Sequence, residues 1–255
     1  GACWHPSKRG YPKIGNLQIA VFVEGQTEYI FVRDFLCAWY EFDAKKLGLE
    51  CYQFNGNKEN KIPYPHGTRD SENFYLIYNV GNDQSVLSKM LKEAPRLQNS
   101  GYQQIVGLND MFSDAYHAKV KNRQIDLKVN ETFKNIRKNI IQQKKFDKIM
   151  TSHFAIMEVE AWFLGMYDYL QKINSQLTPE LIKTQLGTDI TQDPEITVYH
   201  PAKLLNDIYQ LVGMKYDKHK GDAHAITSSL SKSDYIRLKD SGKCESFKEF
   251  INDIV

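Results

Sequence analysis

The sequence predicts an α/β protein with a central, mostly parallel sheet flanked by helices and a helical C-terminal extension. Apolar runs of strand length recur at residues 17–23, 74–80, 103–109 and 148–157, and segments with helical spacing of apolar residues separate them. Strands that alternate with helices favour parallel pairing with right-handed crossovers. Residues 171–255, by contrast, carry mostly helical patterns.

Length and composition bound the organisation of the chain. With 255 residues, 42% hydrophobic and 25% charged, it is typical of one globular domain, or of one domain with a smaller appendage. We expect an N-terminal tail over residues 1–16, an α/β domain over 17–170, and a helical region over 171–255 that packs on it. The formal net charge of +2 indicates no particular partner.

The first predicted strand and the turn after it organise the rest of the chain. Residues 17–23 are almost entirely apolar, as in a strand covered on both faces. Glu24 follows at the end of the strand, Gly25 suits a turn, and a helix is expected to begin near Thr27. Thr27 is expected to cap that helix, and Glu28 suits its positive end.

Further elements follow in order. Residues 41–72 are polar and predict a long connection with a short strand near 50–54. A helix is expected between the strands at 74–80 and 103–109, and another helix runs from about 158 to 170. The later helices are expected near 178–186, 201–213, 222–231 and 246–254.

Four acidic residues follow predicted strands. Glu24 ends the first strand, Asp110 ends the strand at 103–109, and Glu158 and Glu160 follow the strand at 148–157. Ligands of open parallel sheets bind outside the carboxyl ends of the strands, so these acids can converge there. Carboxylate oxygens suit Mg²⁺ or Mn²⁺, which activate water and neutralise charge in phosphoryl transfer.

Each acid also has a simpler interpretation. A single glutamate at the end of a strand is most often solvated or caps a helix. Glu158 and Glu160 suit the N-terminus of a helix for electrostatic reasons alone. The order of the acids along successive strand ends is what favours a metal site.

Residues 119–148 form a basic segment, with ten lysines and arginines against three acids. Val129, Phe133, Ile136 and Ile140 predict the apolar stripe of a helix. A cationic face beside an acidic metal site would attract a phosphate backbone. The candidate nucleic-acid-binding residues are Lys128, Lys134, Arg137, Lys138, Lys144 and Lys145. The alternative is a solvated helix face.

Several segments resemble one known family. The strand-Glu-Gly-x-Thr-Glu pattern of residues 21–28 resembles the opening motif of TOPRIM domains, the metal-binding fold of topoisomerases, primases and OLD-type nucleases. Residues 105–110 resemble the strand that carries the second TOPRIM acid. Residues 153–162 are similar to the acid-x-Glu-Ala segment of a bacterial TOPRIM-like family, domain-of-unknown-function family 4276. Residues 216–218 and 244–247 are similar to its C-terminal pattern.

The resemblance implies a TOPRIM-like fold and a metal-dependent nuclease. Glu24 would bind metal or act in proton transfer, and Asp110, Glu158 and Glu160 would complete the metal shell. Lys218 would steady a phosphate or the charge of the transition state; its alternative is a solvated lysine. TOPRIM domains usually carry Asp-x-Asp at the second site, whereas Met111 and Phe112 follow Asp110 here. Asp114 is a substitute only if its loop curls back.

The leading hypothesis is a Mg²⁺- or Mn²⁺-dependent nuclease or phosphodiesterase that acts on DNA or RNA, with a defence role suggested by analogy. The alternatives are a non-catalytic nucleotide- or nucleic-acid-binding module and a subunit that docks on a protein partner, such as one encoded in the same defence operon. Scattered cysteines without a CxxC pair, no apolar run of 18 residues and no signal-peptide core predict a cytoplasmic protein without membrane contact.

Overall fold

A computed structural model describes residues 16–81 and 83–255, so all but the last residue of the predicted N-terminal tail lies outside the described residues. Six strands form one sheet in the order β3-β2-β4-β1-β5-β6. The strands are β1 Leu17–Val23, β2 Leu47–Asn55, β3 Lys58–His66, β4 Asn73–Asn79, β5 Gln104–Asp110 and β6 Met150–Ala155.

All strand pairs are parallel except β2 with β3. The α/β class with a mostly parallel sheet flanked by helices is therefore confirmed. Because β1, β4, β5 and β6 run the same way, their carboxyl ends meet at one edge of the sheet. In register, Val23 lies between Asn79 of β4 and Leu108 of β5. This edge carries the candidate site.

The prediction of a long polar connection over residues 41–72 was wrong in one respect. Strand β3 pairs antiparallel with β2 there and forms the edge of the sheet. Edge strands carry polar residues because one side faces water, so a hydrophobic pattern does not reveal them. The Gly56-Asn57 pair of the two-residue hairpin turn, with Gly56 at φ 61°, was the available signal.

Twelve α-helices and one 3₁₀ turn are found in the described part of the chain. They are α1 Gln26–Trp39, α2 Asp83–Asn99, α3 Asp114–His117, α4 Leu127–Gln143, α5 Glu160–Gly165, α6 Tyr169–Ile173, α7 Pro179–Leu186, α8 Pro194–Thr197, α9 Pro201–Gln210, α10 Ala223–Thr227, α11 Lys232–Asp240 and α12 Glu245–Ile254, with the 3₁₀ turn at Lys218–Lys220. The helix expected over 158–170 is divided between α5 and α6, and α3, α8 and α11 were not predicted.

Helices cover both faces of the sheet. On one face, α1, α5, α9, α11 and α12 share a continuous apolar core with β1 and β4, centred on Phe31, Trp162 and Phe247. On the other face, α2 and the end of α4 pack against Phe22, Leu76 and Ile105. The helices of residues 171–255 are thus part of the main core. No helix of the described residues is long and apolar enough to cross a membrane.

Two local expectations are corrected. Gly25, not Thr27, is the N-cap of α1, and the Thr27 hydroxyl instead donates to the Lys218 carbonyl at 3.4 Å. In α4, Val129, Phe133 and Ile140 of the expected apolar stripe pack against the core, whereas Ile136 is 50% exposed. The buried Ile141 extends the packed face beyond the predicted stripe.

Candidate functional site at the carboxyl edge of the sheet

Glu24 and Asp110 lie side by side because β1 and β5 are neighbours. Glu24 follows β1 directly, and Asp110 is the last residue of β5. The Asp110 backbone N–H donates to Glu24 Oε2 at 2.9 Å, and the Asn109 amide Nδ2 approaches the same oxygen at 3.4 Å. The main chain of β5 thereby orients the Glu24 carboxylate.

The turn after β6 brings Glu158 to the same place. Met157 adopts a left-handed conformation, with φ 63°, which turns the chain from β6 toward α5. The Val159 N–H then donates to Asp110 Oδ1 at 3.1 Å. Left-handed backbone is costly for a residue with a side chain and often occurs at functional sites. Glu158 itself is held by the Ala202 N–H at the start of α9, at 2.9 Å.

Lys218 reaches this edge from the C-terminal part of the chain. Its Nζ lies 2.8 Å from Glu158 Oε1 and 3.8 Å from Asp110 Oδ2. Burial opposes its charge, but Asp110, Glu160 and Glu158 outweigh burial and raise the pKa of the Lys218 ammonium above its ordinary value. The predicted site lysine therefore lies among the predicted acids.

Glu160 is the most deeply placed acid of the group, with no exposed surface. Tyr216 donates its hydroxyl to Glu160 Oε1 at 2.8 Å, while Oε2 has no hydrogen-bond partner among the described residues. Burial, together with the negative charges of Glu158 and Glu28, raises the pKa of Glu160 to about 7 despite the opposing effect of Lys218. The second oxygen is thus a buried acceptor without a donor.

Glu28 also lies in the site, although its place in the sequence predicted only a position at a helix end. It is 4% exposed, and burial followed by the charge of Glu24 raises its pKa to about 6. Burial and the Glu28 charge likewise raise the pKa of Asp110 well above its usual range. The missed signal was spacing: Glu28 follows Glu24 by four residues across a strand-turn-helix junction. Gly25 leaves room there, since a Cβ would lie 3.2 Å from Glu28 Oε2.

The five acids Glu24, Glu28, Asp110, Glu158 and Glu160 therefore form one edge cluster. It borders a cleft of about 350 Å³ whose lining includes Glu24, Glu28, Asn79, Asp110 and Lys218. The four acids predicted from the sequence are brought together. Among residues 16–81 and 83–255, however, no three acids, histidines or cysteines are arranged as a ready chelating group. Lys218 contacts two of the acids instead.

Asp114, the possible substitute for the missing second aspartate, begins α3 and is exposed. Asn109 was not predicted as a site residue, although it is completely buried and links two parts of the site. Arg137 of α4 donates to Asn109 Oδ1 at 3.2 Å, and Asn109 in turn approaches Glu24. An asparagine inside an apolar strand was the signal for it.

The six candidate nucleic-acid-binding residues fall into two groups. Lys128, Lys138, Lys144 and Lys145 are exposed on and after α4. Lys134 and Arg137 are partly buried: Lys134 Nζ lies 3.1 Å from Glu249 Oε2, and the Arg137 guanidinium packs over the Phe154 ring. Only Arg137 of these six is connected by the described hydrogen bonds to the edge cluster, through Asn109.

No family model matches the chain, and neither the curated proteins nor the solved structures compared with it include a match.

Proposed function

We propose that this protein is a metal-dependent nuclease or phosphodiesterase of TOPRIM type. The observation that carries the proposal is the edge cluster itself: five carboxylates meet at the carboxyl edge of a parallel sheet, beside a cleft and one lysine. Carboxylates buried together raise each other's pKa unless a cation offsets them, and such perturbed groups concentrate at functional sites. A role in defence is part of the proposal by analogy of fold alone.

The donor set fits a hard divalent cation. All five acids offer oxygen ligands, Glu160 Oε2 lacks a donor among the described residues, and the pKa values of Glu28, Asp110 and Glu160 are all raised. Asp110, Glu158 and Glu160, with Glu24, are the residues that would hold Mg²⁺ or Mn²⁺. The ion would supply charge neutralisation at a phosphate and a more acidic water.

The remaining steps belong to residues of the chain. Glu24, which lines the cleft and is held by the Asp110 N–H, accepts a proton from the attacking water. Lys218, whose Nζ lies between Asp110 and Glu158, would donate hydrogen bonds to a non-bridging phosphate oxygen. Because its pKa is raised, Lys218 stays charged at neutral pH.

Turnover of single-stranded and duplex DNA and RNA with Mg²⁺ and with Mn²⁺ tests the proposal. Glu24→Gln is expected to lower turnover by roughly a hundred-fold or more, the usual contribution of a general base. Glu72→Gln is the matched control, because Glu72 is exposed and directly precedes β4, at the amino ends of the parallel strands and away from the edge cluster. Equal rates for the wild type and Glu24→Gln would disprove the catalytic assignment.

A non-catalytic nucleotide- or nucleic-acid-binding module is the second candidate. It is favoured by the pairing of Lys218 with Glu158 and Asp110 and by the absence of a ready chelating group among the described residues. In that case no turnover occurs with either metal, and binding that weakens steeply with salt survives Asp110→Asn. Under this alternative the protein would act with a protein partner that supplies any chemistry.

A further inference from the structure

Four aromatic and imidazole rings cluster beside the edge cluster of acids. Phe112 lies 5.1 Å from His200 and 5.9 Å from Tyr199, measured between ring centroids. Tyr199 and His200 are 4.8 Å apart, and the His117 ring lies 6.3 Å from Tyr199, with its Nδ1 3.1 Å from the Tyr199 hydroxyl. We call this group the ring cluster.

The same backbone segments support the ring cluster and the acids. Phe112 is two residues after Asp110, and its N–H donates to the Met157 carbonyl next to Glu158. His200 is the N-cap of α9, whose Ala202 N–H holds the Glu158 carboxylate at 2.9 Å. The rings are therefore fixed relative to the acidic site by two independent connections.

The ring cluster differs from the sealed aromatic core in its exposure to solvent. Three of its pairs meet edge to face, as buried rings of the core also do, at 90° for Tyr199–His200, 61° for Phe112–His200 and 79° for Phe112–Tyr199. Phe112, Tyr199 and His200 are partly exposed, and His117 is exposed. Burial lowers the pKa of His200. At neutral pH its ring is therefore mainly uncharged.

Two cationic side chains lie near His200 of the ring cluster. Arg123 and Lys203 are exposed and close enough to act electrostatically on His200, as is Glu158 from the acidic side. Rings beside basic residues are the combination with which proteins hold single-stranded nucleic acid: bases stack on the rings, and the cations follow the phosphates. Bases inside a duplex are stacked on each other and cannot use such rings.

We infer that the ring cluster is a stacking platform for nucleobases of single-stranded nucleic acid, placed so that an adjoining phosphate lies at the edge cluster. This inference rests on the proposed function for the role of the neighbouring acids, but base binding itself needs no metal and no turnover. It assigns the substrate class: single strands, or strand ends, rather than an intact duplex.

Binding in EDTA tests the platform apart from catalysis. The probe is a short single-stranded DNA with 2-aminopurine in its centre, compared with the same sequence as a blunt duplex. Stacking on a ring quenches the 2-aminopurine fluorescence, while anisotropy of an end label gives the affinity. The variants are Phe112→Leu and Tyr199→Leu, which keep apolar volume without a ring, and Tyr199→Phe, which keeps the ring.

The platform predicts that the wild type quenches the probe and prefers the single strand. Phe112→Leu and Tyr199→Leu should each weaken single-strand binding roughly ten-fold, in line with the value of one stacked base. Tyr199→Phe should bind nearly as the wild type does. Phe42→Leu is the matched control, since Phe42 is 66% exposed and follows α1 at the opposite edge of the sheet.

Three results would overturn the inference: no preference for the single strand, unchanged binding in both leucine variants, or an equal loss in Phe42→Leu. Thermal midpoints of all variants show whether they fold, and Tyr199 provides a second variant because it lies between helices, outside α8 and α9. If the leucine variants weaken single-strand binding as expected but Glu24→Gln leaves turnover unchanged, only the proposed catalytic role is disproved. If Glu24→Gln abolishes turnover but both leucine variants bind like the wild type, only the stacking platform is disproved.

Discussion

Among residues 16–81 and 83–255, glutamates are buried in two places, and their hydrogen bonding differs. Glu195, in α8, is 6% exposed and is surrounded by donors: Trp162 Nε1 at 3.0 Å, the Ser246 N–H at 3.2 Å, and the Ser246 hydroxyl. Glu160, in the edge cluster, is fully buried, with one donor at Oε1 and none among the described residues at Oε2. Burial raises the pKa of both to about 7.

Both glutamates have a raised pKa, but their hydrogen bonds differ. Both oxygens of Glu195 are satisfied, so it joins α8, α5 and α12 as a structural connection. Glu160 has acidic neighbours and an acceptor oxygen without a donor among the described residues, so its surroundings gain from an added cation. Incomplete hydrogen bonding thus separates the raised pKa of Glu160 from that of Glu195.

Among the changes that compare the two sites, the removal of Lys218 should have the largest effect on the free energy of unfolding. Lys218→Ala leaves Asp110 and Glu158 without their cation, and breaking a buried ion pair costs roughly 3–5 kcal/mol of unfolding free energy. Urea unfolding at pH 8 in EDTA measures the loss. Lys203→Ala, which breaks only the exposed pair with Asp207, should cost no more than about 0.5 kcal/mol. A stable Lys218→Ala protein would show that the edge cluster needs no internal cation.

The next largest effect is the pH dependence that Glu195 gives to the free energy of unfolding. Its folded-state pKa of about 7 lies above the ordinary 4.5, so folding favours the protonated form. That contribution is fully present below pH 4.5 and is lost as the pH rises through 7, a fall of about 3 kcal/mol. Unfolding free energies from pH 4 to 8 for the wild type and Glu195→Gln check it. Their difference should change across this window; parallel curves would contradict the assignment.

A divalent metal ion should distinguish the two sites by a smaller change in the free energy of unfolding. Mg²⁺ or Mn²⁺ at ten times its dissociation constant should stabilise the wild type by about 1.4 kcal/mol, because it binds the folded state. Glu195→Gln should keep this gain, and Asp110→Asn should lose most of it. Thermal unfolding with metal and then with excess EDTA measures both. A metal shift that is unchanged in Asp110→Asn would move the site away from the edge cluster.

The exposed lysines of α4 should give the smallest effect, and they provide a reference for solvated charge. Lys138→Gln and Lys144→Gln are each expected to alter stability by less than about 0.5 kcal/mol. If α4 contacts nucleic acid, each substitution lowers the salt slope of binding by about 1. Lys172→Gln, exposed on α6, is the control. Equal slopes for all three would leave α4 as a solvated face.

Much of the fold was accessible from local patterns. Apolar runs predicted β1, β4 and β5 within a residue or so, because a strand buried on both faces is continuously apolar. Strand β3 was not predicted, because it lies at the edge of the sheet and carries many polar residues. The positions of Glu24 and Asp110 followed from the strands, because a parallel sheet brings strand ends to one edge.

The sequence by itself determined the α/β class, the order of the acids along the strand ends and the composition of the basic helix. Only the tertiary structure decided which charges meet. Lys218 comes to Glu158 across 60 residues, Trp162 and Ser246 enclose Glu195, and Phe112 finds Tyr199 and His200. The reason is physical: local periodicity follows from neighbouring residues, whereas contacts such as Lys218–Glu158 and Trp162–Glu195 form only when the C-terminal helices pack against the sheet.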